Sequence, residues 1–194
     1  MRSAFVLIAV TILLQAAAAS AQCPNVGGAP QAEQYAANKV RLRYLITGPG
    51  GGDDRPELYK SLVSATLPST FNPTATHSVR VRLLLNGNQG QVMSDLTIPP
   101  NGLWVQTGMR WDFSDPAVTY GVRRARILDL GGTAYLIVRW QGRNQSIANA
   151  PVVPGVDNVT AEVEIFDGLN QGVCYDGSSS VCAGGGNTQT CKVQ

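Results

Sequence analysis

Nucleophilic catalysis by Ser or Cys needs a base held against the nucleophile, and the chain contains a single imidazole, His77. That residue opens an alternating segment, where it reads as an exposed strand-end side chain, and no G-x-S-x-G elbow occurs. Paired carboxylates for glycoside hydrolysis can be drawn from Asp112, Asp115, Glu162 and Glu164. Glu162 and Glu164 are two residues apart, so on a strand they share one face at about 7 Å, a spacing that fits this chemistry. Charges on a wet strand face serve solubility and edge protection just as well. Calcium would need clustered oxygens. No D-x-[DN]-x-[DN]-G loop is present, and only Asp53-Asp54, or Asp167 with Asp176, offer loop carboxylates for a surface site. Gly50-Gly51-Gly52 and Gly184-Gly185-Gly186 lack the Lys-Ser/Thr and the following helix of a phosphate cradle. Asn144-Gln145-Ser146 and Asn158-Val159-Thr160 match the glycosylation sequon, which matters only in a eukaryotic secretory pathway. These residues lead us to expect no cofactor, no metal and no catalytic constellation.

The most informative cluster is aromatic and basic. Trp104, Arg110, Trp111, Phe113, Tyr120, Arg123, Arg124, Arg126, Tyr135, Arg139, Trp140 and Arg143 all fall between positions 104 and 143. Flat rings beside arginine donors suit a carbohydrate, a peptide or an anionic polymer. The competing reading places Trp111 and Phe113 in the core and the arginines on wet strand faces. Arg123, Trp140, Tyr135 and Arg139 are the candidate ligand-binding residues.

The elements that must position this cluster are strands, because helix period is nearly absent while period-two alternation and turn residues recur. Lys39 to Thr47 alternates Val40, Leu42, Tyr44 and Ile46 with Arg41 and Arg43; His77 to Leu85 alternates Val79, Val81 and Leu83 with Arg80 and Arg82. The turn Asn86-Gly87-Asn88-Gln89-Gly90 predicts a hairpin into Gln91 to Ile98. Leu58 to Leu67 suits either a strand or a short helix, and short strands are expected over 103 to 107 and 109 to 113. A second hairpin is predicted around Gly131-Gly132 as a two-residue loop. That loop would set Ile127 opposite Leu136, Ala125 opposite Val138, Leu128 opposite Tyr135, Arg126 opposite Ile137 and Arg123 opposite Trp140. Val159 to Phe166 predicts one buried face (Val159, Ala161, Val163, Ile165) and one wet face (Thr160, Glu162, Glu164). Together these describe an all-β, mostly antiparallel sandwich of about eight strands.

The ends of the chain fix the compartment. Arg2 precedes an apolar run from Ala4 to Leu14, and Ala19-Ser20-Ala21 has small residues at cleavage spacing, so residues 1 to 21 read as a removable secretory signal. The run is well short of the roughly 20 residues needed to span a bilayer. Gln22 stands before Cys23, which argues against a lipid-modified first residue. The cysteines Cys23, Cys174, Cys182 and Cys191 should therefore meet an oxidising compartment, and their spacings do not match zinc knuckles. Sequence leaves the connectivity open. The expectation adopted is Cys174 with Cys182, closing a Gly/Ser loop, and Cys23 with Cys191, pinning the chain ends. Residues 22 to 176 would form one domain, followed by a Gly/Ser-rich tail over 177 to 194.

Gly108 to Pro116 (GMRWDFSDP), the Val122 to Trp140 hairpin and the late Cys174-Tyr175 pair resemble uncharacterised secreted bacterial β-domains, which carry a Trp-x-aromatic-x-Asp segment ahead of a hairpin and a late Cys-aromatic pair. The resemblance spans roughly residues 58 to 176. It implies fold class and compartment, and no activity to transfer.

Composition bounds the rest. The chain has 194 residues, 44% hydrophobic and 14% charged, with Lys+Arg 15 against Asp+Glu 13. That balance excludes a charge-rich disordered tail and gives no net-charge argument for nucleic acid. The expectation is a secreted or periplasmic, non-catalytic binding or structural module with no membrane span after cleavage. Its partner would be a carbohydrate, a peptide or a cell-surface component; the alternative is a small secreted hydrolase using Glu162 and Glu164.

Overall fold

The computed structural model describes residues 34–43, 54–63, 67–86, 88, 91–130, 135–143, 145, 147, 156–168, 172–175, 179–185 and 188–192. The expected signal over 1 to 21, Cys23 and the Gly131-Gly132 loop lie outside them. Twelve strands are present, and no helix occurs among the described residues. They are β1 (Gln34–Arg43), β2 (Arg55–Val63), β3 (Ser78–Leu85), β4 (Val92–Ile98), β5 (Trp104–Thr107), β6 (Arg110–Ser114), β7 (Val122–Asp129), β8 (Tyr135–Gly142), β9 (Asn158–Phe166), β10 (Gly172–Tyr175), β11 (Ser179–Gly185) and β12 (Thr188–Lys192).

The all-β, antiparallel class holds, and the arrangement is one continuous sheet in place of an eight-stranded pair of sheets. Its order is β4-β3-β9-β11-β12-β1-β2-β8-β7-β6-β5, with β10 added on β9. β9 pairs with β3 along one edge; on the other it pairs with β10 over 163–166 and with β11 over 158–160. The ambiguous segment beginning near Leu58 is a strand, held on both sides by β1 and β8.

Period two sorts side chains to the two faces, and the cross-strand registers line them up. On the inner face Cys182, Cys191, Val40, Leu58, Trp140, Ala125, Phe113 and Trp104 are successive partners across eight strands, and all are buried. In the other half Val79, Val81, Val163, Ile165 and Ile98 form the matching apolar layer. The halves meet across the core. The buried Lys60 Nζ on β2 donates to the carbonyl of Ala161 on β9 at 2.8 Å, although these strands are not neighbours in the sheet. Leu96 on β4 likewise packs against β8, where a Cβ at Gly142 would lie 3.1 Å from Leu96 Cδ1 and 2.7 Å from Pro56 Cγ.

Three expectations change. Residues 179 to 192, expected in a loose tail, form the β11–β12 hairpin that joins β9 to β1 in the middle of the sheet. The disulfide is Cys182–Cys191, a cross-strand link within that hairpin, which displaces both expected pairings, Cys174 with Cys182 and Cys23 with Cys191. Cys174 is also disulfide-bonded, and no described cysteine is free. Finally, Glu162 and Glu164 do not sit on a wet face: they are 1% and 2% exposed.

Candidate functional site

β7 and β8 pair as Arg124 with Gln141, Ala125 with Trp140, Arg126 with Arg139 and Ile127 with Val138, ending at Asp129 with Leu136. The register is offset by two residues from the one a two-residue Gly-Gly loop would impose. An offset of two keeps every side chain on its expected face while changing its opposite number. Trp140 therefore faces Ala125, not Arg123, and is 2% exposed within the core. Arg123 is exposed at a bulge between Val122 and Arg124, with its carbonyl accepting the Asp115 N–H at 3.0 Å. Tyr135 begins β8 opposite Val63, and its side chain lies outside the described residues. Of the four candidates, the structure places Arg139 on an open polar face.

Arg139 belongs to a transverse row on the outer face. Asp112 on β6, Arg126 on β7, Arg139 on β8, Tyr59 on β2, Lys39 on β1 and Lys192 on β12 are successive cross-strand partners. A parallel row two residues along runs Ser114, Arg124, Gln141, Glu57, Arg41 and Thr190 over the same strands. The strands alternate, so both rows share one face. Both carboxylates are engaged. Asp112 is held by Arg110 and Arg126 at 2.6 Å each, and Glu57 lies 3.5 Å from Arg143. Burial holds the Arg143 guanidinium below its usual value; Arg55 and Arg123 push the same way, and Glu57 opposes them. Among the described residues, Arg124, Arg139, Arg41, Lys39 and Lys192 have no carboxylate partner, and all are exposed.

The face is concave. A cavity of about 420 Å³ is lined by Asp112, Ser114, Arg124, Arg126, Arg139 and Gln141. An adjoining one of about 240 Å³ is lined by Lys39, Arg41, Glu57, Tyr59, Arg139 and Gln141. Arg139 and Gln141 on β8 line both, so the two cavities lie side by side and make a shallow grooved face across β6, β7, β8, β2 and β1. The Arg139 guanidinium lies 5.2 Å from the centroid of the Tyr59 ring, a cation–π contact that orients it within the groove. Such a surface can hold planar or tetrahedral anions through guanidinium forks.

The opposite half of the sheet uses its charges differently. Arg82 contacts Glu162 at 3.0 Å, and Arg80 contacts Glu164 at 3.2 Å and Asp95 at 2.6 Å. The hydrogen bond to Asp95, ahead of that to Glu164, raises the Arg80 pKa against its burial. Glu162 and Glu164 thus act as buried counter-ions between strands. His77, expected to be exposed at a strand end, is also buried. Its Nδ1 accepts the Asn72 N–H at 3.2 Å and lies 2.8 Å from Thr76 Oγ1, with its ring edge-on to Phe71. Burial lowers its pKa, partly opposed by Asp167. Asp115 caps a turn, accepting the N–H groups of Ala117 at 2.9 Å and Thr119 at 2.6 Å. Burial alone would raise its pKa, but these bonds together bring it below the ordinary value. Among the described residues no group of His, Cys, Asp and Glu could hold a metal ion.

The sequence reading missed Lys39, Arg41, Tyr59 and Lys192 as site residues. Lys39 and Arg41 lie about a hundred positions from Arg139, and only the β1–β2–β8 pairing brings them together. No family model matches the chain, and neither a curated protein nor a solved structure matches it.

Proposed function

We propose that the chain is a secreted or periplasmic, non-catalytic binding module whose ligand surface is the basic outer face of β6, β7, β8, β2 and β1. The observation that carries this reading is the pair of adjoining cavities that share Arg139, flanked by exposed Arg124, Arg41 and Lys39. The signal-like N-terminus and the Cys182–Cys191 disulfide support the compartment, and no described helix is long and apolar enough to cross a membrane. The contacts of Lys60 with Ala161, and of Leu96 with β8, support a sandwich-like closure of the sheet over its core. That closure stiffens the face from behind. The hydrolase reading gains nothing from Glu162 and Glu164, because both carboxylates are buried against arginines.

The test is binding of the disulfide-bonded protein to a glycan and peptide panel, repeated with Arg139→Ala. Exposed Arg139 makes no ion pair among the described residues, so the variant should keep its melting midpoint while binding falls. Binding that survives Arg139→Ala unchanged would move the site elsewhere. Turnover abolished by Glu162→Gln would favour the hydrolase.

A further inference from the structure

We propose that the ligand of this groove is a linear acidic polysaccharide, gripped across the strands through its carboxylate or sulfate groups; the assignment rests on the binding-module reading above. Four of the five strands from β7 to β12 carry a cation in one row; Arg126 among them is ion-paired with Asp112, and β2 contributes no cation. In the row through Arg139, side chains at Arg126, Arg139, Lys39 and Lys192 sit on β7, β8, β1 and β12, with Tyr59 between the middle two. At about 4.8 Å between neighbouring strands, the row spans roughly 19 Å perpendicular to the chain direction of the sheet. The row two residues along adds Arg124 and Arg41, with Gln141 and Glu57 between them, Glu57 being engaged by Arg143. A compact anion would use one or two of these charges, whereas an extended polymer with an acidic group at regular intervals meets them in succession. Gln141 and Ser114 line the groove as neutral hydrogen-bonding groups suited to sugar hydroxyls.

Other polyanions fit less well. Single-stranded nucleic acid needs open aromatic platforms for its bases. In these two rows the aromatic residue is Tyr59, already covered by Arg139, while Trp140 points into the core. A peptide adds to a sheet through its main chain at an open edge. The groove instead crosses strands whose ladders are filled on both sides. A bilayer would meet exposed apolar side chains beside the charges. Here one exposed apolar side chain, Val105, extends the row beyond Asp112, and with Leu103 and Met109 it lies at the β5 margin, outside the lining of either cavity, so a bilayer would meet the charges at that end only.

The experiment measures binding of the intact disulfide-bonded protein to polygalacturonate, heparin, neutral dextran, an oligothymidylate and anionic phosphatidylglycerol vesicles. Polygalacturonate or heparin should bind, and binding should weaken by about tenfold or more when ionic strength rises from roughly 0.05 to 0.3 M. Arg124→Glu combined with Arg41→Glu should weaken it by a further factor of about ten, with the melting midpoint unchanged because both side chains are exposed. Absence of binding to both acidic glycans overturns the assignment, as does binding unaffected by the double charge reversal. Tighter binding to the oligonucleotide or the vesicles also overturns it. Neutral dextran bound in preference to both acidic glycans, and lost in Arg139→Ala, would overturn the acidic-polysaccharide assignment and leave the binding-module reading standing.

Discussion

Trp140 shows how residue identity and residue position part company. Its indole fills the inner face between Leu58 and Ala125, and its N–H has no acceptor among the described residues. Truncation to Ala should cost about 3–5 kcal/mol of stability. Trp140→Phe should cost clearly less, since it keeps most of the ring and removes a donor that makes no bond. Denaturant titration of both variants checks the order; equal losses would contradict it. A second residue-scale prediction concerns Glu162. Its removal by Glu162→Ala takes the nearer carboxylate from the Arg82 guanidinium below the surface, where breaking a buried pair costs about 3–5 kcal/mol. Asp95, 3.7 Å from Arg82, should hold the loss toward the lower end of that range, read as a shift in denaturation midpoint. His77 supplies a pH signature. Its folded pKa is below the unfolded value of 6.5, so the unfolded chain binds the proton more readily. The stability it contributes is complete above about pH 6.5 and is lost as pH falls through that value toward the folded pKa. Thermal melts between pH 7.5 and 5.5 should show a falling midpoint. His77→Asn should flatten the slope, because the chain has no other imidazole.

At the scale of elements, the β11–β12 hairpin decides whether the sheet is one body. β11 pairs with β9 and β12 pairs with β1, so among the described residues these strands alone connect the β4-β3-β9 half to the β1-β2-β8-β7-β6-β5 half through the hydrogen-bonded ladder. A chain ending at residue 178 should lose cooperative unfolding, measured by calorimetry, and should not merely lose a frayed end. The disulfide within the hairpin gives a direct chemical check. Cleavage before Asp176 leaves Cys182 and Cys191 on one peptide and Cys174 on another. The non-reduced peptide from 176 to 194 should run alone and gain two hydrogens on reduction, whereas a covalent link to the Cys174 peptide would contradict the Cys182–Cys191 pairing. The turn after β6 carries local strain of its own. Val118 has φ of 58°, a region unfavourable for a β-branched residue, and the Asp115 carboxylate and carbonyl bind the turn's N–H groups on either side.

For the whole molecule, the distribution of charge matters more than its sum. A near-neutral total conceals one half of the sheet whose arginines are closed by buried carboxylates and another whose outer face carries cations without such partners. Field from that face should speed association with acidic partners at low salt and fade as ionic strength rises. The apolar rows run across both halves, so heat should unfold the disulfide-bonded protein in one transition with equal calorimetric and van't Hoff enthalpies. Far-UV circular dichroism should show a β minimum without a helical double minimum.

Alternation in Val40-Arg41-Leu42, in Val79 to Leu83 and in Val159 to Ile165 was enough to identify strands and their apolar sides, because side-chain direction in a strand depends only on parity. Cysteine content and the N-terminal apolar run pointed to an oxidising compartment by the same kind of local chemistry. Parity also kept Trp140 with Ala125 and Val138 on one face despite the wrong register. What parity cannot say is what lies above a face. Glu162 and Glu164 occupy positions that alternate as a solvent face should, and they are buried because β3 sets Arg82 and Arg80 directly opposite them. The 179 to 192 segment has few apolar residues and read as a tail. It is central because backbone hydrogen bonds to β9 and β1, which any composition can make, hold it there. The groove was legible in Arg139 and in Arg124 and Arg126 of the same basic cluster, and not in Lys39, Arg41 or Lys192. Pairing between strands distant in sequence places those charges beside it, and such pairing is selected by the total burial of the core, which no local segment encodes.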